Sequence, residues 1–114
     1  MSSLHTHTDV VRTVGPADAV PNDFVVPYYL HDRKLRISVA RVADRLYAFA
    51  DLCTCTEDGA CPLSGGLLTG TTIMCQCHGS RFDLRTGAVT GGPATEALDV
   101  YDVQEVDGSI QIRA

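Results

Sequence analysis

The residues of this chain best suited to chemistry are five cysteines and a histidine gathered in one short stretch. All of the cysteines lie between residues 53 and 77, and His78 follows the last of them. The cysteines are Cys53, Cys55, Cys61, Cys75 and Cys77. Thiolates and imidazoles are the ligands that soft, tetrahedral metal sites prefer. The stretch therefore predicts a metal centre between two short loops, with a [2Fe-2S] cluster and one-electron transfer as the expected chemistry.

Two ligand pairs can supply the four positions of such a centre. In Cys75-x-x-His78, the two intervening residues let a loop curl so that both side chains face one ion. In Cys53-x-Cys55 the thiols lie one residue apart, and a loop can turn both toward the same ion. Pairing the two loops predicts Cys53, Cys55, Cys75 and His78 as the metal ligands.

The residues that flank these ligands are expected to support the centre. Gly79 would let the backbone approach the centre closely, and Ser80 could donate its hydroxyl to a bridging sulfide. Asp51 and Asp83 lie on either side of the ligand stretch. We expect both carboxylates to fix loop geometry rather than to transfer protons.

Composition limits the classes of partner. The 114 residues fit a single domain, and the formal net charge is −5. This charge disfavours nucleic acid and anionic membranes and suits docking to a basic patch on another protein. No segment approaches the roughly 20 apolar residues of a membrane span. The N-terminus lacks the pattern of a secretory signal, and the bunched cysteines are atypical of a secreted disulfide framework, so we expect a cytoplasmic protein.

Short β-favouring segments separated by turn residues recur along the chain. Leu35–Val39 alternates apolar and other residues, as a half-buried strand does, and Pro27 suits an edge strand. Asp107-Gly108 is a hairpin signal, and no helical periodicity persists over several turns. We predict an all-β fold, a small antiparallel sandwich or barrel with a cluster-binding subdomain of two loops.

The pattern of β-favouring segments divides the chain into a tail and one domain. Residues 1–9 are predicted to be a flexible N-terminal tail, and residues 10–114 a single domain. The cluster-binding region is expected at about residues 51–84.

The second cysteine cluster, which is Cys75 and Cys77 followed by His78, resembles the second ligand box of a Rieske protein together with its surroundings. The matching residues are Cys75-Gln76-Cys77-His78-Gly79-Ser80-Arg81-Phe82-Asp83, then Thr86-Gly87 and Gly92-Pro93-Ala94. The segment from Leu46 into Cys53 resembles the approach to the first box, and Leu63–Leu68 resembles the stretch between the boxes. The resemblance covers about residues 10–113.

The first box departs from the family pattern. The Rieske first box is Cys-x-His, whereas this chain has Cys53-Thr54-Cys55. The segment between the two boxes, residues 56–74, is also slightly longer than is usual in the family. The resemblance implies Cys53 and Cys75 as thiolates on one iron and His78 on the other. Cys55 then takes the place of the absent histidine, which gives three cysteines and one histidine.

Cys61 and Cys77 allow alternatives. The longer segment could shift the first loop, so that Cys61 becomes a ligand and Cys53 or Cys55 is released. In some Rieske proteins a disulfide joins the two loops, and Cys61 and Cys77 occupy comparable places. The resemblance thus allows a disulfide between them. The alternative is two free thiols that shield the cluster, which a reducing cytosol favours for an exposed pair.

The resemblance also implies a function. Small soluble members of the family carry electrons from a flavin-dependent ferredoxin reductase to a terminal oxygenase. We therefore expect a monomeric electron carrier of an oxygenase system rather than an enzyme, with His78 near the surface as the exit for the electron. The alternatives are a small iron–sulfur subunit of a larger reductase, such as a nitrite reductase, and a structural zinc module with the same ligands.

Overall fold

The fold of the chain is seen in a computed structural model that describes residues 10–54 and 61–114. The strands of these ranges are β1 (Val11–Pro16), β2 (Val25–Leu30), β3 (Leu35–Val42), β4 (Arg45–Ala50), β5 (Leu67–Thr69), β6 (Thr72–Met74), β7 (Arg81–Asp83), β8 (Val89–Gly91), β9 (Val100–Val106) and β10 (Ser109–Arg113). Single 3-10 turns occupy Ala17–Ala19 and Leu63–Gly65. The predicted all-β class is confirmed. In the same ranges no helix has the length and apolar character needed to cross a membrane.

The larger sheet has six strands in the order β1-β10-β9-β4-β3-β2, with antiparallel neighbours throughout. Its two edge strands approach each other. Arg12 of β1 donates a hydrogen bond to Asp32 beyond the end of β2. A Cβ placed on Gly15 of β1 would lie 3.3 Å from the ring of Tyr28. The sheet therefore curls toward a closed barrel, and Pro27 lies on an edge strand, as the sequence predicts.

The smaller sheet has four strands in the order β5-β6-β7-β8, all antiparallel. The β5–β6 hairpin turns at Gly70, whose φ of 56° lies in the left-handed region that favours glycine. The second cysteine cluster lies in the connection between β6 and β7. This sheet therefore carries one of the two predicted ligand loops.

The centre of β3 differs from the half-buried strand that the sequence predicts. Residues 37–40 are all buried, so that β3 has no solvent-facing side there. Ile37 and Val39 belong to the core of the larger sheet. Ala40 belongs to a second core with Phe49 of β4 and Phe82 of β7. Because the smaller sheet covers the second face of β3, alternation alone underestimated its burial.

The predicted N-terminal tail, residues 1–9, lies outside the described ranges. Its flexibility and the domain boundary at residue 10 stay predictions.

Candidate metal centre

The first ligand loop, which carries Cys53 and Cys61, follows β4, and main-chain contacts close it at its base. Leu52 forms an antiparallel bridge with Pro62. The Cys53 amide donates a hydrogen bond of 2.9 Å to the Cys61 carbonyl. Cys53 and Cys61 therefore lie beside each other at the mouth of this loop. Cys55 lies outside the described residues, so its role as a ligand stays a prediction.

A buried carboxylate, that of Asp51, holds the base of the first loop. Its Oδ1 accepts hydrogen bonds from Ser38 Oγ at 2.6 Å and from the Ser64 amide at 2.7 Å. Its Oδ2 accepts from Arg36 Nε and from Ser64 Oγ, the latter at 3.2 Å. The Leu63 amide donates to the main-chain carbonyl of Asp51. As expected from the sequence, Asp51 fixes loop geometry, but its partners Arg36, Ser38 and Ser64 carry no local sequence signal.

The second ligand loop is a tight turn between β6 and β7. The Cys75 amide donates to the Ser80 carbonyl at 2.8 Å, and the Gly79 amide donates to the Cys75 carbonyl at 3.0 Å. Gly79 has a φ of 78°, so the turn itself requires glycine. Ser80 Oγ accepts a 3.0 Å hydrogen bond from the Ala94 amide, and a hydroxyl that accepts can still donate. Ser80 thus ties the second loop to the chain after β8.

Two predicted ligands are buried thiols. Cys53 is 2% exposed and Cys75 is fully buried, and neither is in a disulfide. Both belong to the core that the two sheets share. A reduced thiol inside an apolar core is suited to a cluster that must be shielded from water.

A disulfide between Cys61 and Cys77 joins the two loops, with a Cα–Cα distance of 6.2 Å. The Sγ atoms of Cys61, Cys75 and Cys77 all lie within 4.8 Å of one another. Two of these sulfurs are bonded to each other, so only Cys75 of this group offers a thiolate. Of the alternatives that the sequence leaves open, the structure contains the disulfide, and it disfavours Cys61 as a ligand.

His78 lies at the surface of the second loop. Its side chain is exposed, as are the neighbouring Gln76 and Cys77. The exposure that the sequence predicts for His78 is therefore seen in the structure. The described ligand candidates therefore differ in solvent exposure, since the two thiols lie in the core and the imidazole lies at the surface.

The turn after β7 is held together by an ion pair and by main-chain hydrogen bonds. The Arg85 guanidinium donates to both carboxylate oxygens of Asp83, at 3.1 and 2.9 Å, and this contact holds the pKa of Asp83 below its usual range. The Gly87 amide donates to the Asp83 carbonyl at 2.6 Å. A Cβ on Gly87 would lie 1.9 Å from the Leu98 carbonyl oxygen. Asp83 therefore organises a turn that only glycine can complete.

These residues fit a [2Fe-2S] cluster. The described part of the chain brings two buried thiols and an exposed imidazole onto two loops that a disulfide holds together. Thiolate and imidazole are the ligands that such clusters use. Cys55, two residues after Cys53, is the remaining candidate.

Comparison with known proteins agrees with this site. The family model described as the Rieske [2Fe-2S] domain matches residues 11–102. The ferredoxin subunit of anthranilate 1,2-dioxygenase from Burkholderia cepacia is 37% identical to this chain over 76 residues, which are 67% of this chain and 68% of that protein.

Solved structures show the same likeness over most of the chain. The complex of reduced oxygenase and oxidized ferredoxin in carbazole 1,9a-dioxygenase contains a chain that is 30% identical, with a TM-score of 0.80 over 91% of this chain and 93% of that one. A Sphingomonas yanoikuyae B1 ferredoxin is 26% identical, with a TM-score of 0.82 over 92% of this chain and 99% of its own.

Proposed function

The chain belongs to the Rieske [2Fe-2S] domain family, and from this premise we propose that it is the ferredoxin of an oxygenase system. The bound cluster supplies the chemistry, since it accepts and releases one electron at a time. The observation that carries the proposal is the pairing of two buried thiols with an exposed imidazole on disulfide-linked loops. The 37% identity to a dioxygenase ferredoxin subunit supports the same role.

The proposed ligands are Cys53, Cys55, Cys75 and His78. Cys53 and Cys75 would hold the inner iron, because both thiols are buried. His78 would hold the outer iron together with Cys55, which replaces the histidine of the family's first box. The disulfide between Cys61 and Cys77 would keep the two loops at a fixed separation.

The electron is proposed to enter and leave at the end marked by His78. Electron transfer weakens steeply with distance, so an exposed ligand is the favourable point of contact with a partner. Leu52, which precedes Cys53, is exposed, and Leu67 is 58% exposed. Leu67 pairs with Met74, which precedes Cys75. Exposed apolar side chains beside the ligands suit the small, transient interfaces of redox partners.

The proposed partners are a flavin-dependent ferredoxin reductase as donor and a terminal oxygenase as acceptor. In the related carbazole 1,9a-dioxygenase system, an oxygenase and a ferredoxin form a complex. The net charge of −5 suits docking to basic surfaces on both partners, and nucleic acid and membranes are not expected as partners. We propose a monomer that works in the cytoplasm.

The test is a redox analysis of the purified protein. We expect two irons and two sulfides per chain, and reversible reduction by one electron followed by electron paramagnetic resonance. His78→Ala should lose this spectrum, whereas His31→Ala, which removes an exposed histidine from the turn after β2, should keep it. A colourless protein with one bound zinc per chain would contradict electron transfer and support the zinc module.

A further inference from the structure

We infer that Asp51 is a positioning residue for the cluster, and that its negative charge helps to set the potential at which the cluster is reduced. This inference rests on the proposed function, because it concerns a bound [2Fe-2S] cluster. Asp51 lies two residues before the proposed ligand Cys53 and is fully buried.

The positioning role follows from what the carboxylate joins. Ser38 belongs to β3, and Ser64 belongs to the 3-10 turn that follows the first loop. Asp51 itself lies on the chain that enters the loop. Its hydrogen bonds to Ser38 Oγ and to the Ser64 amide, at 2.6 and 2.7 Å, therefore connect both ends of the loop to a buried strand. Because the two ends of the loop are held together, the main chain at Cys53 has a fixed position.

The electrostatic role follows from burial. Asp51 has no exposed surface, whereas the side chain of Arg36, its ion-pair partner, is 44% exposed. A buried charge interacts with its surroundings through a medium of low dielectric constant, and a charge in contact with water is screened. Reduction adds one negative charge to the cluster. A fixed negative charge at Asp51 should therefore oppose reduction, and the positive charge of Arg36 should favour it by a smaller amount.

A purely structural role makes a different prediction. Asp51→Asn and Arg36→Gln break the same ion pair, so loosening of the loop alone would change the cluster in the same way in both variants. An electrostatic role makes the two changes opposite in sign. The sign of each shift thus separates the two explanations without reference to electron-transfer activity.

The experiment is a redox titration of the cluster-loaded protein and three variants. We expect the midpoint potential to rise in Asp51→Asn and to fall in Arg36→Gln. Arg45→Gln is the matched control, because it removes the same charge from an exposed site at the start of β4, the end of the strand remote from Asp51. Its potential should equal that of the wild type.

Cluster retention gives a second measurement. Asp51→Asn and Ser38→Ala should lose iron to a chelator several-fold faster than the wild type, and Arg45→Gln should lose it at the wild-type rate. Ser38→Ala removes the 2.6 Å hydrogen bond that connects Asp51 to β3 and leaves the carboxylate in place, so it tests the positioning role without changing the charge.

Two results would overturn the inference. One is a shift of the same sign in Asp51→Asn and Arg36→Gln, or a wild-type potential in Asp51→Asn, either of which contradicts the electrostatic role. The other is loss of iron from Asp51→Asn at the wild-type rate, which contradicts the positioning role. If Asp51→Asn does not fold, Arg36→Gln decides alone, since an unchanged or raised potential contradicts the electrostatic role. If the wild type shows no reversible reduction, it is the proposed function that fails.

Discussion

The Cys53 amide donates to the Cys61 carbonyl at 2.9 Å, so a proposed ligand and a disulfide cysteine are neighbours across the mouth of one loop. The bond between Cys61 and Cys77 therefore braces a residue next to the centre as well as linking the two loops. We therefore expect the stability of the fold and the retention of the cluster to depend on the same pair of sulfurs.

The first prediction concerns removal of this disulfide. The double variant Cys61→Ser/Cys77→Ser frees a loop of sequence separation 16, and by the loop-entropy estimate it should lower the free energy of unfolding by about 3 kcal/mol. Denaturant unfolding followed by circular dichroism measures the change. In excess reductant the wild type should approach the stability of the variant, while the variant should not respond. Equal stability of both proteins without reductant would contradict the prediction.

The second prediction concerns Cys55. A cluster with three thiolates is more negative than the two-histidine Rieske cluster and less negative than a four-cysteine one. The wild-type potential should therefore lie between the Rieske range of roughly −150 to +300 mV and the plant-type value of about −400 mV. Cys55→His restores the family's first box and should raise the potential.

Pulsed electron paramagnetic resonance of the reduced protein checks this ligand set directly. The wild type should show one strongly coupled nitrogen, from His78, and Cys55→His should show two. Two coupled nitrogens in the wild type would mean that another histidine binds the cluster, and the interpretation of Cys55 would be wrong.

The third prediction concerns Gly87. Its φ of 84° strains any other residue, and an added Cβ would lie 1.9 Å from the Leu98 carbonyl oxygen. Gly108 has a comparable φ of 78° but meets no such obstacle in the described structure. Gly108→Ala should therefore lose about 1–2 kcal/mol of stability from backbone strain alone, and Gly87→Ala should lose more. Equal losses in thermal or denaturant unfolding would show that the turn relaxes around the new side chain.

The fourth prediction concerns acid. Because Arg85 lowers the pKa of Asp83 in the folded protein, the ionised carboxylate stabilises the fold at neutral pH. This contribution is complete above the unfolded-state pKa of about 3.9 and is lost as the pH falls through the lower, folded-state pKa. In Asp83→Asn the free energy of unfolding should therefore depend less steeply on pH in this acid range than in the wild type, as measured by denaturant unfolding at a series of pH values. Asp102→Asn, which removes an exposed carboxylate from β9, is the control, and equal acid profiles in the two variants would contradict the prediction.

Local sequence pattern predicted much of this fold. Alternation located β3, and Asp107-Gly108 located the hairpin between β9 and β10, since both signals depend only on neighbouring residues. β8 carries no such signal, because its three residues, Val89–Gly91, are too few to show alternation and end directly before Gly92 and Pro93.

The sequence predicted the ligand candidates of the site but not the contacts that support them. The proposed ligand residues share one stretch, so their chemistry is visible in the sequence. The support of the first loop is not, because Arg36 and Ser38 precede Asp51 by 15 and 13 residues and meet it only through the pairing of β3 with β4. The choice between a disulfide and two thiols at Cys61 and Cys77 likewise depends on how closely the two loops approach, which is a tertiary property.

The burial of β3 and β4 on both faces bears on the modularity of the protein. Ala40 and Phe49 form one wall of the core behind the ligand loops, with Ile73 and Phe82 of the smaller sheet opposite. A fragment confined to the ligand loops and the smaller sheet would expose that apolar surface to water and lose its partner. An engineer who transplants this redox centre into another scaffold would therefore have to move β3 and β4 with it.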